Sequence, residues 1–205
     1  MKKIVLILVI GMLSVLAFPQ SYHKLIRTNT WWDGYLHDPV LCYSSINRIY
    51  FTGQDTIIDG VTYKISREFP FAAKVTPGPL CTPFVIDTPS SPTGRFIRED
   101  TVAKKVFIYD DLNSPHDQLL YDFSLQVGDT LHSLYNGGGT LYVTAINNVT
   151  LNNSEIRQEF IFNNSGGLEN YIESIGGSQG IFDPIQYIPG NYGGYFCVSE
   201  NDINL

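Results

Sequence analysis

Apolar and polar residues alternate along much of the chain with the two-residue period of half-buried β-strands. Residues 45–52 (SINRIYFT) alternate in this way, and residues 56–58 and 61–66 flank an Asp59-Gly60 pair. Asp-Gly supplies the two positive-φ positions of a type I′ turn. This stretch therefore predicts a β-hairpin with a two-residue loop.

The same signals predict two more hairpins, one from residues 94–99 and 105–109 and one from residues 140–147 and 155–163. Apolar residues at helical spacing are nearly absent after residue 20. About ten strands in this order predict an all-β fold, an antiparallel meander closed as a barrel or folded as a sandwich, with almost no helix. The remaining predicted strands are residues 118–123, 130–134, 170–175 and 194–199.

The first twenty residues have the pattern of a secretory signal peptide. Lys2 and Lys3 precede residues 4–18, which carry no charge, and a more polar segment follows. A transmembrane anchor is less favoured, because fifteen helical residues rise only about 22 Å against a hydrocarbon core of about 30 Å. We predict cleavage near Gln20 or Ser21, with export through the periplasm to the cell surface or the extracellular space.

One β-rich domain is predicted over residues 21–200, and residues 201–205 read as the start of a linker or a C-terminal tail. The proline-rich residues 70–92 predict a long ordered loop, with a linker as the alternative. No domain boundary is placed there, since neither side carries a complete sheet of its own.

Composition and charge exclude several classes of function for this protein. The chain has 205 residues, with 13 Tyr and 12 Phe, which is enough apolar area for one core and excludes disorder. A net charge of −7 opposes a general nucleic-acid binder, which needs a basic surface. No apolar stretch after the signal peptide is long enough for a helical span, no motif indicates a cofactor, and the oligomeric state stays open.

The three cysteines, Cys42, Cys81 and Cys197, are disulfide candidates, because an exported chain meets oxidising conditions. The pairing stays open. Cys42–Cys197 suits first and last strands that lie side by side, whereas Cys81–Cys197 suits a loop folded over the end of a barrel. Zinc is less favoured, because no C-x-x-C pair accompanies these residues.

Aromatic residues near the start of the domain form the most unusual cluster. Trp31, Trp32 and Tyr35 are candidate ligand-binding residues, because exposed tryptophan rings can stack on sugars. The pattern favours the alternative, in which these rings pack against the core.

Oxygen-bearing side chains follow the second predicted hairpin. Asp110, Asp111, Asn113 and Asp117 make a weak candidate calcium site, although the spacing lacks the central Gly and closing Glu of an EF-hand. A solvated loop is the favoured interpretation. No nucleophile, phosphate-binding or metalloprotease motif occurs, but a pair of glycosidase carboxylates needs no motif and stays open.

Four segments, residues 61–64 (VTYK), 96–108 (FIREDTVAKKVFI), 120–130 (LYDFSLQVGDT) and 171–176 (YIESIG), together resemble an uncharacterised group of secreted Bacteroidota proteins. The resemblance covers about residues 45–200. Many members of that group carry a C-terminal sorting domain for type IX secretion, and residues 199–205 resemble the linker before it. Since no sorting domain follows here, the resemblance leaves three expectations: a fragment, a truncated gene product, or a family member that is exported without that signal.

An Asp-Thr pair followed by an apolar residue occurs three times. The resemblance implies O-glycosylation at Thr56, Thr101 and Thr130. The favoured interpretation is structural, because Asp and Thr side chains bond nearby backbone N–H groups at turns.

These patterns predict a secreted or cell-surface β-rich protein that is a non-enzymatic binding or structural module. An extracellular glycan is the candidate partner. The alternative is an extracellular hydrolase that acts on polysaccharide through a pair of carboxylates.

Overall fold

The protein is all-β, as the sequence predicts. A computed structural model describes residues 21–38, 43–75, 91–110, 114–132, 140–164, 167–177, 180–182, 193–200 and 203–204. Every regular element in these ranges is a strand, and the strands form two curled antiparallel sheets. The same ranges contain no helix with the length and hydropathy of a membrane span.

Most strands coincide with stretches of alternating or β-branched residues, and two very short strands complete the sheet edges. In chain order the strands are β1 (Thr30–Asp38), β2 (Tyr43–Ile58), β3 (Val61–Val75), β4 (Ser91–Asp100), β5 (Lys105–Asp110), β6 (Ser114–Asp122), β7 (Thr130–His132), β8 (Thr140–Thr150), β9 (Ile156–Asn164), β10 (Gly167–Ile172), β11 (Gly176–Gly177), β12 (Gly193–Glu200) and β13 (Ile203–Asn204).

The chain winds as a meander through one sheet and then through the other. The larger sheet has the order β13-β12-β1-β2-β3-β4-β5-β6, and the smaller has the order β11-β10-β9-β8-β7. β12 returns from the smaller sheet to pair with β1, with Thr30 opposite Glu200. The short strand β13 pairs with the end of β12, in the segment where the sequence predicts a linker or tail.

One core lies between the inner faces of the two sheets. On β5 the side chains alternate, so that Val106 and Ile108 are fully buried while their neighbours are half-buried. Tyr121 of β6 meets Tyr171 of β10 edge-on across the core, with ring centroids 5.3 Å apart. Burial of the inner residues of both sheets in one cluster is what joins the sheets.

The predicted turn at Asp59-Gly60 is confirmed. Asp59 has φ 49° and Gly60 has φ 80°, the pair of positive values that a type I′ turn requires. The other two hairpins are also confirmed, since β4 pairs with β5 and β8 pairs with β9. These turns are set by local residues, which is why the pattern finds them.

Two stretches differ from the sequence prediction. β1 was not predicted as a strand, because two adjacent tryptophans hide its alternation, and it is held between β2 and β12. The strand predicted at residues 170–175 ends at Ile172, because Ser174 adopts φ 65° in a turn.

The proline-rich stretch is described only in part. Its residues 70–75 belong to β3 and its residues 91–92 to β4, and residues 76–90 lie outside the described ranges.

The glycine-rich segment after β10 wraps around one hydroxyl group. The Tyr121 hydroxyl accepts a hydrogen bond from the Gly177 N–H at 3.0 Å and lies 3.0 Å from the carbonyl oxygens of Gly180 and Ile181. A Cβ at Gly176 would lie 3.1 Å from this hydroxyl, so the close approach requires glycine.

Replacing Tyr121 by phenylalanine is expected to lower the free energy of unfolding by about 1–3 kcal/mol, because the Gly177 N–H and two carbonyls lose a buried partner. Urea unfolding of Tyr121→Phe beside the parent chain measures this loss. Unchanged stability would show that the hydroxyl does not hold the segment.

Candidate functional site

The residues before β1 form an extended segment, residues 21–29, that we call the strap. Leu25 of the strap is fully buried in the core. Both carboxylate oxygens of Glu99 on β4 hold the strap: Oε1 accepts from the Tyr22 hydroxyl at 2.5 Å and the Leu25 N–H at 2.8 Å, and Oε2 accepts from the Ile26 N–H at 3.2 Å. Burial, with the neighbouring Glu99 charge, raises the pKa of Tyr22, so its hydroxyl stays a donor.

Two further glutamates anchor the strap on its other sides. Glu173, only 3% exposed, accepts a hydrogen bond from the His23 N–H at 3.2 Å. Glu200 on β12 binds the Arg27 guanidinium at 2.6 Å. The strap is therefore held from β4, from the turn after β10 and from β12, which places it firmly along the edge of the core.

A groove of about 210 Å³ opens between the strap and the adjacent ends of β3 and β4. Its walls come from three separate parts of the chain, namely the strap, the start of β3, and the end of β4 with the turn that follows it. The groove is lined by Lys24, Ile26, Thr62, Tyr63, Lys64, Ile97, Arg98, Glu99 and Thr101.

The groove combines apolar, hydroxyl and charged groups. The half-buried Ile26 supplies apolar surface, Ile97 lies fully buried beneath the groove, and the exposed Thr62 and Thr101 supply hydroxyl groups that can donate or accept. Most of the charge on the lining is positive, with three cations against the single carboxylate of Glu99. Such a surface can take a small polar ligand that has both an apolar side and hydrogen-bonding groups.

Tyr63 joins the groove to an aromatic cluster on the outer side of the larger sheet. Its ring lies 5.9 Å from that of Tyr109, which in turn lies 6.3 Å from that of Phe96. Burial raises the pKa of Tyr63, and the charge of Asp117 adds to this effect while Arg98 partly offsets it. The Tyr63 hydroxyl therefore keeps its proton at neutral pH.

The two tryptophans point to opposite sides of β1. Trp32 is 1% exposed, packs edge-on against Phe51 at 5.5 Å and donates its indole N–H to the Ile175 carbonyl at 2.7 Å. This confirms the favoured core interpretation for Trp32 and removes it from the candidate ligand-binding residues. Trp31 is half-buried on the outer side with the Arg48 guanidinium 5.0 Å from its ring, and the Tyr35 side chain lies outside the described residues.

Two of the four predicted calcium ligands, Asp110 and Asp117, lie on opposite sides of the larger sheet. Asp110 lies on the inner side of β5, 2% exposed and 3.5 Å from Arg95. Asp117 lies on the outer side of β6, where it accepts a hydrogen bond at 2.9 Å from Arg98. Asp110 and Asp117 lie on opposite sides of one sheet and so cannot share one ion. Asp111 and Asn113 lie outside the described residues, and a calcium site that includes them stays a prediction. Across the described ranges no three His, Cys, Asp or Glu residues gather as metal ligands.

The cysteine prediction stays a prediction. Cys42 and Cys81 lie outside the described residues, and only the backbone of Cys197 is described, in β12 opposite Asp33.

The structural interpretation of the Asp-Thr pairs is confirmed at two of the three sites. Asp100 accepts the N–H groups of Val102 and Ala103 in its turn, and Asp129 accepts that of Gln126. Of the three candidate glycosylation sites, Thr101 is exposed, whereas Thr56 and Thr130 are half-buried. Glycosylation at these threonines stays a prediction.

A buried arginine lies near the strap and has no sequence motif. Arg157 is 2% exposed, donates to the Ser174 hydroxyl at 3.0 Å and pairs with Glu155. A hydrogen bond from Asn153, together with the Arg157 charge, lowers the pKa of Glu155 below its ordinary 4.5. Because the folded-state pKa is lowered, Glu155 adds stability above pH 4.5 that is lost as the pH falls through the lowered value.

Replacing Glu155 by glutamine should therefore cost less than about 1 kcal/mol at neutral pH, since the carboxylate is half-exposed. Unfolding free energies of Glu155→Gln and the parent chain should converge as the pH falls below 4.5. If the two unfolding free energies still differ in acid, the effect of the substitution comes from the shape of the side chain and not from its charge.

Sequence reasoning missed every residue that lines the groove except Thr101, which it selected for a different reason. Lys24 and Glu99 are 75 positions apart, and nothing in their local patterns marks them as neighbours. The Asp59-Gly60 turn, which aligns Lys64 with Asp55, is the one local signal that bears on the groove. Comparison of the chain with protein-family models, curated proteins and solved structures finds no match.

Proposed function

We propose that this chain is an exported β-domain that binds an extracellular saccharide, without chemical turnover, in the groove between the strap and the ends of β3 and β4. The observation that carries the proposal is the composition of the groove, in which the Ile26 side chain, two threonine hydroxyls and cationic side chains line one cavity of about 210 Å³.

A sugar residue matches this lining. Its C–H face is apolar and suits Ile26, and its rim of hydroxyls suits the hydroxyl groups of Thr62 and Thr101. The volume is small beside the 300–1,000 Å³ typical of pockets for larger ligands, so the groove suits about one sugar residue of a longer chain.

The number of carboxylates in the groove, and the hydrogen bonds that engage the one described there, favour binding over hydrolysis. A glycosidase needs two carboxyl groups about 5–9.5 Å apart across the scissile bond. Among the described residues that line the groove, Glu99 is the one carboxylate, and three hydrogen bonds already engage it with the strap. Its position is that of an anchor for the strap.

The localisation belongs to the same proposal. The charge-free run at residues 4–18 supports export, and so does the resemblance to secreted Bacteroidota proteins. Because Tyr22 and His23 bind Glu99 and Glu173, cleavage has to fall before Tyr22 for the strap to keep these contacts. Mass spectrometry of the exported protein should find an N-terminus at Gln20 or Ser21, and a chain that starts after Tyr22 would contradict this.

The proposal predicts weak, groove-dependent binding. Calorimetric titration of the chain from residue 21 with a panel of short oligosaccharides should find at least one that binds with a Kd of order 1 mM or tighter. Thr62→Val with Thr101→Val should weaken that binding several-fold, because two hydrogen bonds are lost while the shape is kept. Thr150→Val, at an exposed site at the end of β8, is the matched control and should bind as the parent does. Absence of binding across the panel would overturn the proposal.

A further inference from the structure

The groove carries an excess of positive charge in a protein whose net charge is −7. Lys24, Lys64 and Arg98 line it, and Glu99 is the only described acidic residue of the lining. Glu99 accepts three hydrogen bonds from the strap, so its lone pairs are largely committed before any ligand enters. The donors are neutral and leave the Glu99 charge in place, so the lining holds three positive charges against one negative charge.

The three cations differ in how strongly each is already paired with a carboxylate. Arg98 is bound to Asp117 and stacked 3.7 Å from the Phe107 ring centroid, so it is held in place on the outer side of the sheet. Lys64 pairs with Asp55 in a contact that is 38% and 48% exposed on its two sides, where water weakens the attraction. Lys24 is exposed on the strap, and within the described part of the chain no carboxylate pairs with it.

These positions favour a carboxylate on the ligand. An anionic group at the mouth of the groove would give Lys24 a partner and would compete with Asp55 for Lys64. Thr62 and Thr101 then remain for the hydroxyls of the same ligand. A neutral saccharide would leave Lys24 without a carboxylate partner in the complex.

We propose that the ligand of the groove is an acidic saccharide, with the carboxylate of a uronic-acid residue held between Lys24 and Lys64. This inference rests on the proposed saccharide-binding function and specifies its ligand class. The strap supplies Lys24, so the acidic specificity depends on a docked strap.

The test compares matched ligands. Short oligogalacturonates and oligomannuronates are titrated into the chain from residue 21, each beside its carboxyl-reduced form, in which the carboxylate has become an uncharged hydroxymethyl group. The acidic forms should bind about fivefold more tightly than the reduced forms or better. Lys24→Gln with Lys64→Gln should abolish this preference, and neither change should disturb folding, since both ammonium groups lie at the surface.

Arg67→Gln is the control, because it removes one positive charge from the other side of β3 and not from the groove. This variant should keep the full preference. Equal binding of acidic and reduced forms would overturn the inference and leave the proposed function standing, whereas no binding of either form or of the neutral panel would overturn both. A preference that survives Lys24→Gln with Lys64→Gln would also overturn it.

Discussion

Replacing Trp32 by alanine is expected to lower the free energy of unfolding by about 3–5 kcal/mol. The indole is 1% exposed, packs against Phe51 and donates its N–H to the Ile175 carbonyl. The substitution therefore leaves a cavity between the sheets and an unpaired buried carbonyl. Chemical denaturation followed by far-ultraviolet circular dichroism measures the loss.

Trp31 is the matched control for this experiment, because it has the same side chain one position away. It lies on the outer side of β1, half-buried beside Arg48. Trp31→Ala should cost about 1 kcal/mol or less, mainly the contact between the guanidinium and the ring. Equal losses for the two variants would contradict the placement of β1 with Trp32 inward and Trp31 outward.

Truncating Leu25 to alanine is expected to cost about 2–5 kcal/mol, because this side chain of the strap is fully buried in the core. The loss should extend to the groove, since the strap carries two of its lining residues, Lys24 and Ile26. Denaturation gives the stability, and titration under conditions where Leu25→Ala is still folded gives the binding. Both quantities should fall.

Lys24→Ala separates the two roles of the strap. Lys24 is exposed, so its truncation should change stability by no more than about 0.5 kcal/mol while it weakens binding of an acidic saccharide. A Leu25→Ala chain as stable as the parent would show that the strap is not part of the core. In that case the groove would have no wall on that side.

Elements that depend on neighbouring residues could be predicted from the sequence. The Asp59-Gly60 turn needs two positive φ values, and its residue pair is the one that adopts them. The Asp100 and Asp129 side chains bond N–H groups within three positions, so their structural role was also visible locally. The all-β class follows from the same local signals repeated along the chain.

The features that the sequence could not predict depend on contacts between residues that are far apart in the chain. The sequence left barrel and sandwich open because both bury the same alternating faces. In the structure the chain passes from one sheet to the other after β6, and β12 returns to pair with β1. Asp110 and Asp117, which the sequence grouped as calcium ligands, lie close in the chain but project from opposite sides of the sheet. The groove forms where three distant segments bring Lys24, Lys64 and Glu99 together. No local sequence pattern relates these residues, so the groove could not be predicted.

Saccharide binding in the groove is tested most directly by heteronuclear NMR spectra of the isotope-labelled chain during titration with a short oligogalacturonate. The backbone resonances of Lys24, Thr62, Lys64 and Thr101 should shift progressively and together, with one apparent Kd, while the exposed Thr150 stays still. Shifts confined to the outer side around Trp31 and Arg48, or no shifts at any ligand concentration, would contradict the assignment of this groove as the binding site.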